Sequence, residues 1–417
     1  MPSDFDWRIY LVYHPELRGL GITTEELARE HYLTEGRAEG RLHKRVRILL
    51  RYTAGTGLIN QHYSHISAIA LAATLGAELV LPPAVKRDSF ALYFHHIKEK
   101  NEVTWTPTPL EALLDVDKIV ETWHARGLTI HRTPALQPFP ELRDPGTAFP
   151  LYEQQGIDPR RVARVEDVFL QNLGMAELVE RVRTAVVAKA AQLLRQDLDA
   201  PMDYIVVDLP CTMFMLRTYS SLPMVTDVAR SLTFAPSLRA LADRVIAGIT
   251  GGGAGGAPHQ KFNAAHLRLE KDARDWAEIM GGEGALWHSY IQAMKQANFS
   301  AGVSVYVASG LLTYGASQEM AHVVEVLTAA GLCSEVLHKE QYLPASVLDA
   351  LSSEQKALVD FLVLARGRSF VGLGSSTFSY YLGEFRAMAG LPRSASVMAN
   401  ASPIGTDSIF ASAGPVI

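Results

Sequence analysis

At 417 residues the chain exceeds the size at which a single hydrophobic core keeps growing, so two large domains are expected. Hydrophobic residues make up 48% and charged residues 20%, which excludes a largely disordered chain. A formal charge of −5 gives no global pull toward nucleic acid or an anionic membrane, so any anion must be held by a local site.

No apolar stretch reaches the roughly 18–20 residues needed to span a bilayer, and no signal peptide precedes Trp7. The chain therefore reads as soluble as it stands. A secretory-pathway lumen fits if a targeting segment has been trimmed, and the cytoplasm fits otherwise. The two cysteines, Cys211 and Cys333, each sit in an apolar run and read as buried small hydrophobes. Two are too few for a disulfide framework or a cysteine-built metal site.

The first 44 residues read as a small helical unit. Thr23 and Glu26 make a capping-box pair ahead of Leu27, Tyr32 and Leu33, and Gly36 and Gly40 punctuate its end. Residues 46–52 (VRILLRY) then read as a buried strand, 53–60 (TAGTGLIN) as a glycine-rich turn, and 63–75 as an apolar helix stopped by Gly76. Residues 78–81 form the next strand, ended by Pro82 and Pro83, which completes a βαβ unit. Leu178, Val182, Val186, Ala190 and Leu193 share one face of a long helix, and 203–209 (DYIVVDL) is a further buried strand.

Residues 250–258 (TGGGAGGAP) have nothing to pack and read as a linker or exposed loop. Beyond them, strands are expected at 263–269, 303–308, 333–337 and 369–373, with helices at 317–330, 353–365 and 377–389. The implied organisation is a helical appendage over 1–44, an acceptor-side Rossmann-like domain over 45–249, the connection, and a nucleotide-binding Rossmann-like domain over 259–417. Two such halves leave a cleft between them, where ligands usually bind.

Three segments carry candidate chemistry, each at a strand end. The first, Gly55-Thr56-Gly57-Leu58-Ile59-Asn60, lets backbone N–H groups approach a phosphate, or is simply a tight turn. In the second, His266-Leu267-Arg268-Leu269-Glu270, strand alternation sets His266, Arg268 and Glu270 on one face and both leucines on the other. An arginine there offers a planar fork for two phosphate oxygens, or forms a surface ion pair with Glu270. The third, residues 370–379 (FVGLGSSTFS), runs a strand into glycines and then into hydroxyl residues at a helix start. That arrangement suits phosphate binding or plain N-capping.

These segments are similar to the motifs of the GDP-fucose protein O-fucosyltransferases and their plant relatives. The likeness runs from Arg45 to Leu391. It includes Gly57-Leu58-Ile59-Asn60-Gln61 with Leu79-Val80-Leu81-Pro82, Lys86-Arg87-Asp88-Ser89-Phe90, and 262–272 (FNAAHLRLEKD). Val305-Tyr306-Val307-Ala308-Ser309-Gly310 and the 370–379 segment complete it. The stretch from Trp7 to Arg41 also resembles a short helical motif attached to carbohydrate-modifying enzymes.

The resemblance implies a GT-B-like α/β fold and metal-independent, inverting transfer of fucose from GDP-fucose to a protein or glycan hydroxyl. It implies no cofactor beyond that nucleotide sugar, and no nucleic-acid or membrane-spanning role. Arg268 would neutralise the β-phosphate as the sugar leaves. His266, Gly57 and Asn60 would position diphosphate and sugar, while Ser375, Ser376, Thr377 and Phe378 would line the nucleotide. Asp360 stands where the family places a nucleotide-base aspartate.

Thr56 occupies a place where some protein-modifying relatives carry a glutamate base, and threonine cannot serve as a base near neutral pH. Glu270, Asp272, His62 and His65 are the candidates for that role. Asp203 and Asp208 are not spaced as a metal–diphosphate motif. Two further readings are a transferase for another nucleotide sugar on the same scaffold, and a silent carbohydrate- or partner-binding protein.

Overall fold

The computed structural model describes residues 1–54, 57–87, 105–132, 159–165, 173–196, 203–209, 223–251, 262–269 and 281–400. The chain divides into two compact units. One comprises Met1–Gly55, Tyr63–Pro83 and Asp117–Ala229, and the other Thr56–His62, Ala84–Val116 and Arg230–Ile417. Among the described residues the strands in chain order are β1 (Arg47–Tyr52), β2 (Glu78–Leu81), β3 (Ala84–Arg87), β4 (Trp105–Thr108), β5 (Ile130–Arg132) and β6 (Val162–Arg164). They continue with β7 (Tyr204–Leu209), β8 (Phe262–His266), β9 (Ser304–Ala308), β10 (Val336–Leu337), β11 (Phe370–Leu373) and β12 (Ser396–Ala399).

In the first unit five strands form a sheet in the order β5-β2-β1-β7-β6, parallel throughout. The interior strand β7, YIVVDL, is buried along almost its whole length, as an apolar run in a parallel sheet should be. The helix expected from Tyr63 begins earlier and spans Leu58–Leu75. Leu58 and Ile59 are already buried, and the Gly57 carbonyl accepts the first helical bond from Gln61 N–H at 3.1 Å. Asn60 therefore lies in the first helical turn, not in the loop before it.

The N-terminal helices Trp7–Tyr13, Glu16–Gly19 and Glu25–His31 close on their own small core of Phe5, Tyr10, Leu11, Leu17, Ala28 and Tyr32. The cap of the third helix is Thr24 and not Thr23: the Thr24 hydroxyl accepts from Leu27 N–H at 3.4 Å. Gly40 docks this unit. Its φ of +69° is left-handed, and a Cβ there would lie 2.8 Å from the Ala191 carbonyl oxygen on the helix Met175–Gln196. Arg195 Nε on that helix donates to the Glu39 carbonyl at 2.9 Å.

Three histidines are buried in this unit. His31 meets the Tyr10 hydroxyl at 2.8 Å, His43 the Tyr32 hydroxyl at 3.2 Å, and His14 Nε2 the Leu42 carbonyl at 3.2 Å. Burial pushes the His14 imidazole down to about 4 and lowers His43 as well. A depressed histidine pKa means the unfolded chain binds the proton first. Stability is therefore intact above the ordinary value near 6.5 and is lost as pH falls toward 4. For His14 alone the loss is up to about 3 kcal/mol. Hydrogen exchange corrected for intrinsic rates should show protection of residues 7–31 falling between pH 7 and pH 4.5. Unchanged protection would contradict this account of the unit.

In the second unit the sheet order is β10-β9-β8-β11-β12, again all parallel. The chain enters at the central β8, steps outward through β9 and β10, then crosses back to β11 and β12. Strand order thus reverses between β8 and β11, and such a switch point leaves a crevice at the carboxyl ends of the two strands. The hairpin β3–β4 belongs to this unit as well. The two parallel, helix-connected sheets and the helical N-terminus are the α/β class expected.

Two strands are shorter than their sequences suggest. β8 stops at His266, because Arg268 N–H donates to the Tyr290 hydroxyl at 3.0 Å instead of to a neighbouring strand. β10 is only Val336–Leu337, since the chain turns through Gly331 at φ +68° before it reaches the sheet, and Cys333 is buried in the core alongside. Cys211 lies outside the described residues. At the glycine-rich connection, Thr250 ends the helix Pro236–Thr250 and Gly251 caps it in the left-handed conformation, while 252–261 lie outside the described residues.

Candidate functional site

The reversal point of the second sheet holds two of the three candidate segments. At the end of β8, Leu267 is fully buried in the core while His266 and Arg268 are part-exposed. The alternation therefore carries past the strand end, and both polar side chains leave on the side away from Leu267. Tyr290, itself fully buried, anchors the Arg268 backbone through its hydroxyl. Burial pushes the His266 imidazole down to about 3, and the nearby Arg268 charge lowers it further. The ring is neutral at physiological pH, beside a permanent cation.

At the end of β11, Ser376 N–H turns back to the Leu373 carbonyl at 3.0 Å, and the helix Thr377–Met388 begins. Ser376 occupies the N-cap position with extended backbone, but its side chain makes no capping bond. That departs from the plain-capping reading of these hydroxyls. Ser376 is buried, Thr377 and Phe378 are part-buried, and Ser375 is exposed. Gly372 is required here by close approach: a Cβ would lie 2.6 Å from both Cβ and Oγ of Ser379. Ser379 Oγ in turn accepts from Leu373 N–H at 3.0 Å and meets His266 Nδ1 at 2.7 Å. The Phe378 ring lies over His266, with centroids 4.4 Å apart. The structure thus brings His266, Arg268, Ser376, Thr377 and Phe378 to adjacent strand ends.

An aromatic chain ties the first segment to the other two. His62 Nε2 meets the Tyr381 hydroxyl at 2.8 Å. Tyr381 stacks on Phe361 at 5.9 Å, and Phe361 meets Phe378 edge-on at 5.4 Å. Through these rings the helix start bearing Gly57 and Asn60 is held within the same unit as His266. Phe361 and Tyr381 were not among the expected site residues. The signal for Tyr381 was present in the spacing of Phe378, Tyr381 and Phe385, which share one helix face, whereas Phe361 lies on the helix Ser353–Leu364.

Asp360 has a tighter environment than its expected role suggests. It is 6% exposed, with Oδ1 accepting from the Tyr306 hydroxyl at 2.6 Å and Oδ2 from Lys339 Nζ at 2.8 Å. Burial pushes its carboxyl up, opposed by the Lys339 ammonium. Beside it, burial would raise the Glu340 carboxyl, but bonds from His338 and Lys339 hold it at about 2. Asp360 is thus built into a buried ionic cluster at the β9–β10 side of the sheet. A carboxylate keeps further lone pairs after two such bonds.

Of the candidate bases, Glu270 and Asp272 lie outside the described residues, as does Thr56. His65 is enclosed, bonded to the Tyr52 hydroxyl at 2.8 Å, and pushed down to about 3 by burial, which makes it an interior group. Among the described residues no cluster of three or more His, Cys, Asp or Glu side chains is arranged to hold a metal ion, and no helix is long and apolar enough to cross a membrane.

Residues 175–389 match the model of the GDP-fucose protein O-fucosyltransferase family, just over half of the 417-residue chain. The chain belongs to that family. It is accordingly a glycosyltransferase. No curated protein sequence matches it. Among solved structures it is similar to POFUT1 in complex with GDP-fucose, at 16% identity and a TM-score of 0.47, covering 83% of this chain and 96% of that one. POFUT1 in complex with GDP gives 15%, 0.45, 82% and 96% in the same order. A mutant of Arabidopsis thaliana FUT1 in complex with GDP gives 12%, 0.42, 91% and 76%. The matched span contains both strand-end segments, with His266, Arg268 and the 375–378 run inside it.

Proposed function

We propose that this protein transfers fucose from GDP-fucose to a hydroxyl of a protein or glycan, with inversion and without a metal. The observation that supports this best is the placement of Arg268 beside the uncapped start of the helix Thr377–Met388, at the reversal point of the second sheet. A guanidinium and the N–H groups of a helix start are both complementary to a diphosphate.

In this reading Arg268 grips the β-phosphate. The bond from the sugar's anomeric carbon to the phosphate oxygen breaks, and its electron pair stays on that oxygen. The acceptor hydroxyl bonds to the opposite face of the sugar, and its proton passes to the departing phosphate. Negative charge grows on the phosphate as the bond breaks, so a preorganised cation lowers the barrier by a few kcal/mol. Ser375, Ser376, Thr377 and Phe378 line the nucleotide. Gly57 and Asn60 lie at the start of the helix Leu58–Leu75, where they would contact sugar or diphosphate, and Asp360 would complete base recognition.

The test is turnover of GDP-fucose by purified protein in EDTA, as transfer or as slow donor hydrolysis. Release of GDP should continue at an undiminished rate. Loss of activity in EDTA that manganese or magnesium restores would contradict metal independence. Tight GDP binding without any turnover would point to the silent binding protein instead.

A further inference from the structure

We infer that Ser379 is a positioning residue that fixes the His266 imidazole with its proton on Nε2, so that a neutral N–H donor stands beside Arg268 to meet a diphosphate oxygen. The inference rests on the nucleotide-sugar reading of this site and adds to it the hydrogen-bond polarity of one contact.

The polarity follows from counting protons. Ser379 is completely buried, so its single hydroxyl hydrogen must find an acceptor or remain unsatisfied. One side of Oγ is already taken, because it accepts from Leu373 N–H at 3.0 Å. Among the described residues its other partner is His266 Nδ1, at 2.7 Å. A hydroxyl that has accepted from the backbone donates its own hydrogen onward, so Nδ1 is the acceptor. In a neutral imidazole the proton then sits on Nε2.

Protonation of both nitrogens is disfavoured by burial and by the Arg268 charge. Nε2 lies on the opposite edge of the ring from Ser379, and among the described residues it makes no hydrogen bond. Phe378, 4.4 Å away, holds the ring plane.

Tautomer choice decides whether the contact attracts or repels. With the proton on Nε2, the ring gives a phosphate oxygen a directed bond that a guanidinium charge alone does not orient. With the proton on Nδ1, it would turn a lone pair on the oxyanion. Gly372 belongs to the same device, since a side chain there would push Ser379 Oγ off its two partners.

Nitrogen-detected NMR on protein labelled with ¹⁵N at its histidines reads the tautomer directly, with the His266 signal assigned by its loss in His266→Gln. Calorimetric titration of GDP reads the consequence. The wild type should show Nε2–H, and Ser379→Ala should bind GDP about tenfold more weakly, with a mixture of tautomers and an intact fold. If Ser379→Ala fails to fold, the wild-type spectrum still decides. A proton on Nδ1, or an unchanged GDP affinity in a folded Ser379→Ala, overturns the inference while leaving the nucleotide reading in place. A wild type that shows Nε2–H but binds no GDP overturns the nucleotide reading, and with it this donor's role.

Discussion

Arg268→Ala should reduce turnover of GDP-fucose by roughly 100-fold or more, the scale on which deletion of one oxyanion donor acts. The effect should fall on kcat more than on GDP affinity, because the charge that Arg268 meets is larger in the transition state than in bound donor. Arg268→Lys keeps a charge but loses the planar fork, so GDP should still bind while turnover collapses. Neither change should unfold the protein. The backbone there is held by Leu267 in the core and by the Tyr290 hydroxyl, and substitution of a part-exposed side chain costs about 0.5–1 kcal/mol. Steady-state kinetics with a thermal melt on each variant checks both halves. A folded Arg268→Ala with wild-type turnover would remove the residue from the mechanism.

Arg386→Met should produce the largest loss of stability, more than about 4 kcal/mol, in chemical denaturation. Arg386 is 1% exposed, and its guanidinium donates to five backbone carbonyls, those of Leu364, Ala365, Gly367, Arg368 and Ala395, and to the Ser396 hydroxyl. It thereby joins the end of the helix Ser353–Leu364, the turn into β11 and the turn into β12. Burial pushes it down to about 10, still well above neutral pH, so the bonds remain charge-assisted. Methionine fills similar volume but removes the donor that these carbonyls share. A loss below about 1 kcal/mol would mean that other groups or water take over.

The strands of the second sheet were legible because buried parallel strands are written as apolar runs, and two of the strand-end motifs fall together at its reversal point. Alternation at His266, Leu267 and Arg268 correctly separated the two faces. It misplaced the strand end, because that is set by one hydrogen bond to Tyr290, a residue on another element. The capping readings erred for a similar reason. Thr24, and not Thr23, has the extended backbone a cap requires, while Ser376 holds the cap position without making the bond.

Long-range partners were beyond the sequence. Asp360 could be singled out, but Tyr306 and Lys339 stand 54 and 21 positions away, and no periodicity links them. Arg386 defeats hydropathy altogether, since a guanidinium in the interior is intelligible only once the carbonyl ends around it are seen.

The central claim is that this unit holds a guanine nucleotide at the ends of β8 and β11, and ligand-dependent melting tests it most directly. A ligand that binds only the folded state raises the melting temperature by mass action, by about 2.7 kcal/mol of stability at a hundredfold excess over Kd. With GDP and UDP titrated in parallel, GDP should raise the midpoint in a concentration-dependent way while UDP leaves it unchanged. Equal stabilisation by UDP, or none by GDP, would contradict the account.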